Sequence, residues 1–339
     1  MTPRRIIGVE KNYDWGDEIT IRHSMGLPST RGEKIAELWC GTHPQGPAHL
    51  DRWDGQLLSD VTGEMTMMVK LLACAQPLSL QTHPTAEQAR EGFAREEALG
   101  IPRDAPQRMY KDESDKPEMI IALSRFEALC GFAPVESSVA LLQSMGWSDA
   151  ATVLASDGIS AYLKWAFQQT TNPVFAKAPP WLQAIAKVYA GDAALWIAPL
   201  MNHVILNKGE ALTLPAGNLH AYLHGFGLEV MNSSDNVIRA GFTSKHVDVN
   251  ELLRIVDTNT LDLPTVHIGE DGLYPSPSSA FTVGQMHTVD NHIDKHRIVY
   301  GLPMSTSWER RIVWPEMYLL PRGESADHFF ASGYVCIQN

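Results

Sequence analysis

The sequence predicts a mainly β protein of jelly-roll or β-sandwich units, with one helical block inserted between two strand-rich regions. Short strand-like runs bounded by Gly, Pro, Asn and Ser extend from Leu38 to about Phe132 and resume after Leu200. Between them, from Val135 to about Leu200, the apolar residues switch to helical spacing. No tandem repeat of solenoid period is present.

Taken in chain order, Met65 to Cys74 reads as a fully buried strand. Pro84-Thr85 is a helix-start signal, the Ala, Glu, Gln and Arg content of Ala86 to Leu99 favours helix, and Gly100-Ile101-Pro102 ends it. Met119 to Leu123 is a second buried strand. In the helical block, Val139, Leu141, Leu142 and Met145 share one stripe and Trp181 to Tyr189 supplies another, with punctuation at Thr170 to Pro173 and Ala178 to Pro180. Val204 to Leu206, Ala211 to Leu214 and Val237-Ile238 are short strands, and Val249 to Val256 is a short helix. From about Asp262 the chain is turn-rich and strand-like again. The expected division is a discontinuous first jelly-roll domain (1–133 and 201–260), a helical insertion (134–200) and a C-terminal jelly roll (261–339).

A formal net charge of −12 over 339 residues argues against general binding to nucleic acid or anionic membranes. An anionic substrate must therefore be met by positive charge gathered locally. No window reaches the roughly 18 apolar residues of a membrane span, and the first ten residues lack the apolar run of a signal peptide. Cys40, Cys74, Cys130 and Cys336 form no Cys-x-x-Cys pair and lie in apolar stretches, which points to buried thiols in a reducing cytoplasm.

Three segments far apart in sequence carry metal-type ligands on strand-like patterns. Side chains at i and i+2 of a strand share a face. Gln81 and His83 therefore project together, as do His220 and Tyr222. With Glu118 they offer two imidazoles, a carboxylate and an amide oxygen, a donor set suited to a divalent transition metal and most of all to zinc. Gly209-x5-Pro215-x-Gly217-x2-His220 places a tight turn just before the histidine, and Glu118 follows a proline that biases Lys116 to an extended conformation. His224 is a weaker ligand candidate, and His43, just before Pro44, reads as a turn residue. His287, His292 and His296 lie in a polar stretch and read as exposed. Arg239 and Lys245, joined by small residues and Phe242, offer a bidentate fork and a point charge for an anion, and Ser79 shares the Gln81/His83 face.

The Gly-Pro-Gly-His arrangement resembles the second signature of cupin-type jelly rolls. Together with Tyr13-Asp14-Trp15-Gly16, Glu37-Leu38-Trp39-x-Gly41-Thr42-His43-Pro44, Leu78 to Pro84, Lys116 to Met119, Glu127 to Phe132, Pro215 to Tyr222 and Ser234 to Lys245, it resembles type I phosphomannose isomerases across about residues 12 to 256. The resemblance implies two cupin-type jelly rolls with a small helical domain. It also implies a zinc-dependent aldose–ketose isomerase acting on mannose 6-phosphate and fructose 6-phosphate through a cis-enediol.

It places the zinc ligands, one ion per chain, at Gln81, His83, Glu118 and His220, and a catalytic arginine at Arg239. It places substrate-pocket residues at Ser79, Lys116 and Lys245, and further polar positions at Glu229, Tyr222 and Asp235. The family often has His before Lys116; here the residue is Asp115, which alters the charge around Lys116. The C-terminal part from about Leu261 matches weakly. The base that removes the C2 proton is left open among Glu229, Lys116 and a zinc-bound water. A monomeric cytoplasmic enzyme with a sugar-phosphate substrate, and neither nucleic acid nor membrane as partner, is the expectation. An iron-dependent cupin oxygenase and a non-catalytic sugar-phosphate sensor are the rival readings.

Overall fold

The computed structural model describes residues 3–28, 31–51, 55–262, 265–286, 295–303, 316–324 and 330–339. The chain opens with β1 (Arg4–Ile7), β2 (Val9–Lys11), α1 (Thr20–Ser24), β3 (Glu37–Cys40), β4 (His49–Leu50), α2 (Ser59–Thr62), β5 (Met67–Cys74) and β6 (Leu80–Thr82). Next come α3 (Ala86–Ala98), β7 (Glu118–Ala122) and β8 (Phe126–Phe132). The helical block is α4 (Val135–Met145), α5 (Ser148–Phe167), α6 (Pro180–Val188) and α7 (Ala194–Ile197). Strands resume with β9 (Met201–Leu206), β10 (Ala211–Leu214), β11 (His220–Asn232) and β12 (Ile238–Gly241), followed by α8 (Val249–Ile255). The last strands are β13 (Thr265–Val266), β14 (Phe281–Gln285), β15 (Arg297–Pro303), β16 (Glu316–Leu320) and β17 (Phe330–Gln338).

The mainly β architecture with a helical insertion is as the sequence predicts. One antiparallel sheet runs β13-β10-β7-β11-β5-β3-β2, and β6, β8, β9 and β12 join it through the other half of β11. The long strand β11 is the hinge of this unit. Its N-terminal residues, from His220 to His224, pair with β8 and β6, whereas Gly225 to Asn232 pair with β5 and Gly227 to Met231 with β7. The turnover between the two sheets falls at Gly225, whose φ of +133° and closeness to Arg125 (a Cβ would fall 2.8 Å from its carbonyl oxygen) require glycine. One strand thereby delivers His220 and Glu229 to the same cup.

A second, six-stranded antiparallel sheet has the order β14-β17-β15-β16-β1-β4. The N-terminal strand β1 thus completes a sheet otherwise formed mostly by C-terminal strands. Ile6, Leu50, Val283, Ile298, Leu319 and Cys336 from this sheet share a core with Val69, Leu71, Ile121 and Leu228 from the first. Alternation along β5 explains how one strand serves two layers. Val69, Leu71 and Ala73 face that shared core, while Leu72 and Cys74 face the interior of the cup. Lys70 shares the parity of Leu72.

The helices follow their local signals. Thr85 and Gln88 form a reciprocal capping box at the start of α3, Gly146 closes α4 in the left-handed conformation, and the Asp248 side chain caps α8. Gly92, inside α3, packs on the ring of Tyr110, where a Cβ would fall 2.5 Å from three ring atoms. Alanine favours a helix over glycine by about 0.5–1 kcal/mol, but overpacking a rigid site costs about 1–3 kcal/mol. Tyr110 is fully buried and its hydroxyl donates to Glu251, so the ring has nowhere to retreat. Gly92→Ala is therefore expected to lower stability by about 1–2 kcal/mol net, read as a reduced urea midpoint.

Candidate metal centre and substrate cavity

The ligand-bearing segments meet where β6, β7 and β11 converge. His83 follows β6, Glu118 opens β7 and His220 opens β11; Gly217, in the left-handed conformation, donates its N–H to the His83 carbonyl oxygen at 2.8 Å and so ties the turn before His220 to the strand end of His83. Gln81 is in register with His220 on one side and with Arg239 on the other. Local strand pairing thus collects residues from three distant segments around one point.

His83 Nε2 lies 3.5 Å from Glu118 Oε1, and His220 Nε2 lies 3.4 Å from Glu118 Oε2. One ligand atom from each of these three buried residues falls within 4.8 Å of the others. The Nδ1 atoms are committed elsewhere: His83 Nδ1 is 2.6 Å from the Asn236 carbonyl oxygen and His220 Nδ1 is 3.0 Å from that of Asn218. A carbonyl oxygen only accepts, so each Nδ1 carries the proton and each Nε2 presents a lone pair. Both Nε2 atoms are buried and make no hydrogen bond. Unsatisfied buried nitrogens aimed at a carboxylate fit a bound cation, and the two-imidazole, one-carboxylate set fits zinc. Burial, with the neighbouring Lys116 charge, lowers the His83 pKa to about 4, which keeps the ring neutral for ligation. Despite burial, the Lys116 charge holds the Glu118 carboxyl well below its ordinary range.

Gln81 and Lys116 link this centre to a cavity of about 880 Å³. Gln81 Oε1 accepts from Ser79 Oγ at 2.9 Å, and Lys116 Nζ sits 2.9 Å from Glu118 Oε1. Lys70, Lys111, Lys116, Arg239 and Lys245 all line the cavity, so a chain of net charge −12 concentrates five cations in one place. Burial lowers the Arg239 pKa, and burial followed by Arg239 lowers that of Lys245. Ser79 and Asp235 also line the cavity; Asp235 Oδ2 lies 3.4 Å from His43 Nε2.

Two residues expected in the pocket occupy deeper positions. Tyr222 and Glu229 do not line the cavity. The Tyr222 hydroxyl donates to Glu229 Oε1 at 3.0 Å, and Glu229 Oε2 lies 3.0 Å from Lys70 Nζ. Burial raises the Glu229 pKa, reinforced by Glu118 and Glu37 and opposed by Lys70. The Asp115 carboxylate accepts from Asn232 Nδ2 at 3.0 Å and does not line the cavity. His224 is exposed on the far face of β11, and His43 packs edge-on against Trp39, outside the ligand cluster. His296 is half-buried, and His287 and His292 lie outside the described residues. The four cysteines are free and buried.

Sequence reasoning passed over Lys70, Glu37 and Trp39 as site residues. Lys70 Nζ lies 3.0 Å from Glu229 and 3.8 Å from Glu37, and Trp39 Nε1 donates to Glu37 at 2.6 Å. A signal was available, because a lysine in the middle of the apolar run Met67–Cys74 must either leave the sheet or meet buried carboxylates. Asp192 and Lys111 also line the cavity without a sequence motif to announce them.

A family model for the catalytic domain of type I phosphomannose isomerase matches residues 4–135. The chain is 32% identical over 327 residues to the mannose-6-phosphate isomerase of Escherichia coli (strain K12), covering 82% of each chain. It is 29% identical over 346 residues to that of Rattus norvegicus, covering 81% of this chain and 79% of the relative. Among solved structures, mannose 6-phosphate isomerase from Salmonella typhimurium bound to substrate (fructose 6-phosphate) and zinc superimposes with a TM-score of 0.82 at 25% identity, over the full length of both chains. A mannose 6-phosphate isomerase bound with zinc and yttrium gives a TM-score of 0.83 at 26% identity, again over both full lengths. By its fold, its buried ligand cluster and its 32% identity to such an enzyme over 82% of its length, the chain belongs to the type I phosphomannose isomerase family.

Proposed function

We propose that this chain is a zinc-dependent mannose-6-phosphate isomerase that interconverts mannose 6-phosphate and fructose 6-phosphate through a cis-enediol. The carrying observation is the pairing of two orphaned buried imidazole nitrogens at Glu118 with a five-cation cavity directly beside them. Zinc held by His83, Glu118 and His220, with Gln81 as a fourth donor, would supply Lewis-acid polarisation of a substrate oxygen.

The remaining roles belong to the protein's own side chains. Arg239 is a permanent cation at the cavity wall and opposes the negative charge that develops on the enediol oxygens. Ser79 and Lys245 bind the anionic substrate, with Asp235 oriented by His43. Among the base candidates, Lys116 lines the cavity with its ammonium paired to Glu118, and Glu229 is not among the residues that line it, so the base stays open among Lys116, Glu229 and a zinc-bound water. Glu229 holds Lys70, and Tyr222 holds Glu229.

We propose a catalytic unit of residues 1–133 and 201–260, a helical unit of 134–200 and a C-terminal jelly roll of 261–339, with β1 and β4 lent to the last. We also propose a monomer, a cytoplasmic location and no nucleic-acid partner. No described helix is long and apolar enough to cross a membrane.

The test is conversion of mannose 6-phosphate to fructose 6-phosphate before chelation, after chelation and after zinc add-back. Activity should disappear on chelation and return with zinc at one ion per chain. Folded, zinc-loaded protein that binds the sugar phosphate without turnover would instead identify a sensor.

A further inference from the structure

Asp192 lies inside the helical block, between α6 and α7, and it lines the cavity. Its carboxylate is spent on main chain. Oδ1 accepts from the Ala194 N–H at 2.8 Å and Oδ2 accepts from the Phe242 N–H at 2.7 Å. Burial raises its pKa, opposed by the N–H groups of Ala194, Phe242 and Thr243.

Among the described residues, Phe242 is the one non-glycine residue with positive φ, at +52°. A bulky aromatic side chain is strained there and stays only where its surroundings hold it. The holding groups are the Asp192 carboxylate and Tyr189, whose ring stacks on the buried Phe242 ring at 5.4 Å and 28°. Tyr189 is anchored in turn, its hydroxyl donating to the Pro77 carbonyl oxygen at 2.6 Å. The preceding Gly241, at φ +151°, presses on the same carboxylate: a Cβ there would fall 2.4 Å from Asp192 Oδ1 and 2.5 Å from the Ala194 Cβ.

This turn joins two cations of the cavity. Arg239 is fixed by the pairing of β12 with β6. Lys245 lies beyond the end of β12; its N–H donates to Thr243 Oγ1 at 3.1 Å, which ties it to the turn at 241–243, and its Nζ sits 5.8 Å from the centre of the Tyr13 ring.

We propose that Asp192 is a positioning residue: from the helical unit, it holds Phe242 in its left-handed form and so sets the aim of Lys245, the cation for the anionic end of the substrate, relative to Arg239. The proposal rests on the isomerase reading and makes the helical unit a working part of the substrate site.

Wild-type turnover of mannose 6-phosphate is established first. Asp192→Ala and Asp192→Asn are then compared with wild type for kcat, KM, competitive inhibition by inorganic phosphate, zinc content and thermal midpoint. A displacement of about 1 Å in a binding group can cost about 10²-fold. Asp192→Ala is expected to raise KM and the inhibition constant of phosphate together, by roughly tenfold or more, with zinc content unchanged. Asp192→Asn, whose single amide oxygen can serve one of the two N–H groups, should fall between. A carboxylate that merely caps α7 would lower the thermal midpoint and leave both constants at wild-type values, and that result overturns the proposal. Should Asp192→Ala fail to fold, Asp192→Asn decides on the same two constants. If wild type turns over no mannose 6-phosphate, the isomerase reading has failed separately. Calorimetric affinity for inorganic phosphate, in wild type and Asp192→Asn, then still decides whether Asp192 orders the two cations: equal affinities sink it, weakened binding supports it.

Discussion

Arg239→Ala is expected to lower kcat by about 10²–10³-fold, the effect of removing one preorganised donor to a developing oxyanion, while zinc content stays at the wild-type level. Arg239 sits in β12 opposite Gln81, half-buried at the cavity wall, and makes no ion pair among the described residues. Burial lowers its pKa, yet a guanidinium keeps its charge at neutral pH. A desolvated cation without a counter-ion is costly in the free protein and becomes favourable only when an anion arrives. Arg239→Lys keeps the charge and loses the two-pronged geometry, so it should recover part of the lost rate. Steady-state kinetics alongside metal analysis checks both variants, and near-normal turnover in Arg239→Ala would remove this residue from the mechanism.

The largest effect on stability is expected from Lys70→Met. Lys70 is 5% exposed and stands between Glu229 at 3% and Glu37 at 7%. Its ammonium is 3.0 Å from the first carboxylate and 3.8 Å from the second. Burial opposes its charge, but the two carboxylates outweigh burial and raise its pKa, so it is ionised at neutral pH. Breaking such a buried pair from one side costs about 3–5 kcal/mol because the partner charge is left behind. Lys70→Met should lower the urea midpoint accordingly, and the Lys70→Met/Glu229→Gln double variant should be less destabilised than the single one. Additive losses would show that the pair is not energetically coupled. Activity should suffer in both variants, since Lys70 also lines the cavity.

The candidate cluster of His83, Glu118 and His220 was readable without coordinates, for a local reason. Two-residue alternation along a strand is geometry that any short segment carries with it, and it put Gln81 with His83. The Pro215-x-Gly217 turn before His220 is likewise local chemistry. The buried strands Met67–Cys74 and Glu118–Ala122, the helix Ala86–Ala98 and the helical insertion follow from periodicity and caps within one window. The same local patterns do not say what a strand lies against. Tyr222 shares a strand parity with His220, yet its hydroxyl goes to Glu229, because β11 turns from one sheet into the other at Gly225.

By itself, then, the sequence determined the strand and helix content, the three residues of the His83–Glu118–His220 cluster, and the solvent-averse character of the four cysteines. Tertiary structure alone decided that β1 closes the C-terminal sheet and that Lys70 is a charge shared by Glu229 and Glu37. It also decided that Asp192, 50 residues from Phe242, reaches the turn between Arg239 and Lys245. The physical reason is the range of the interactions. Dihedral preference, capping and alternation act within a few residues, whereas sheet order and the pairing of buried charges depend on which distant segments meet when apolar area is removed from water.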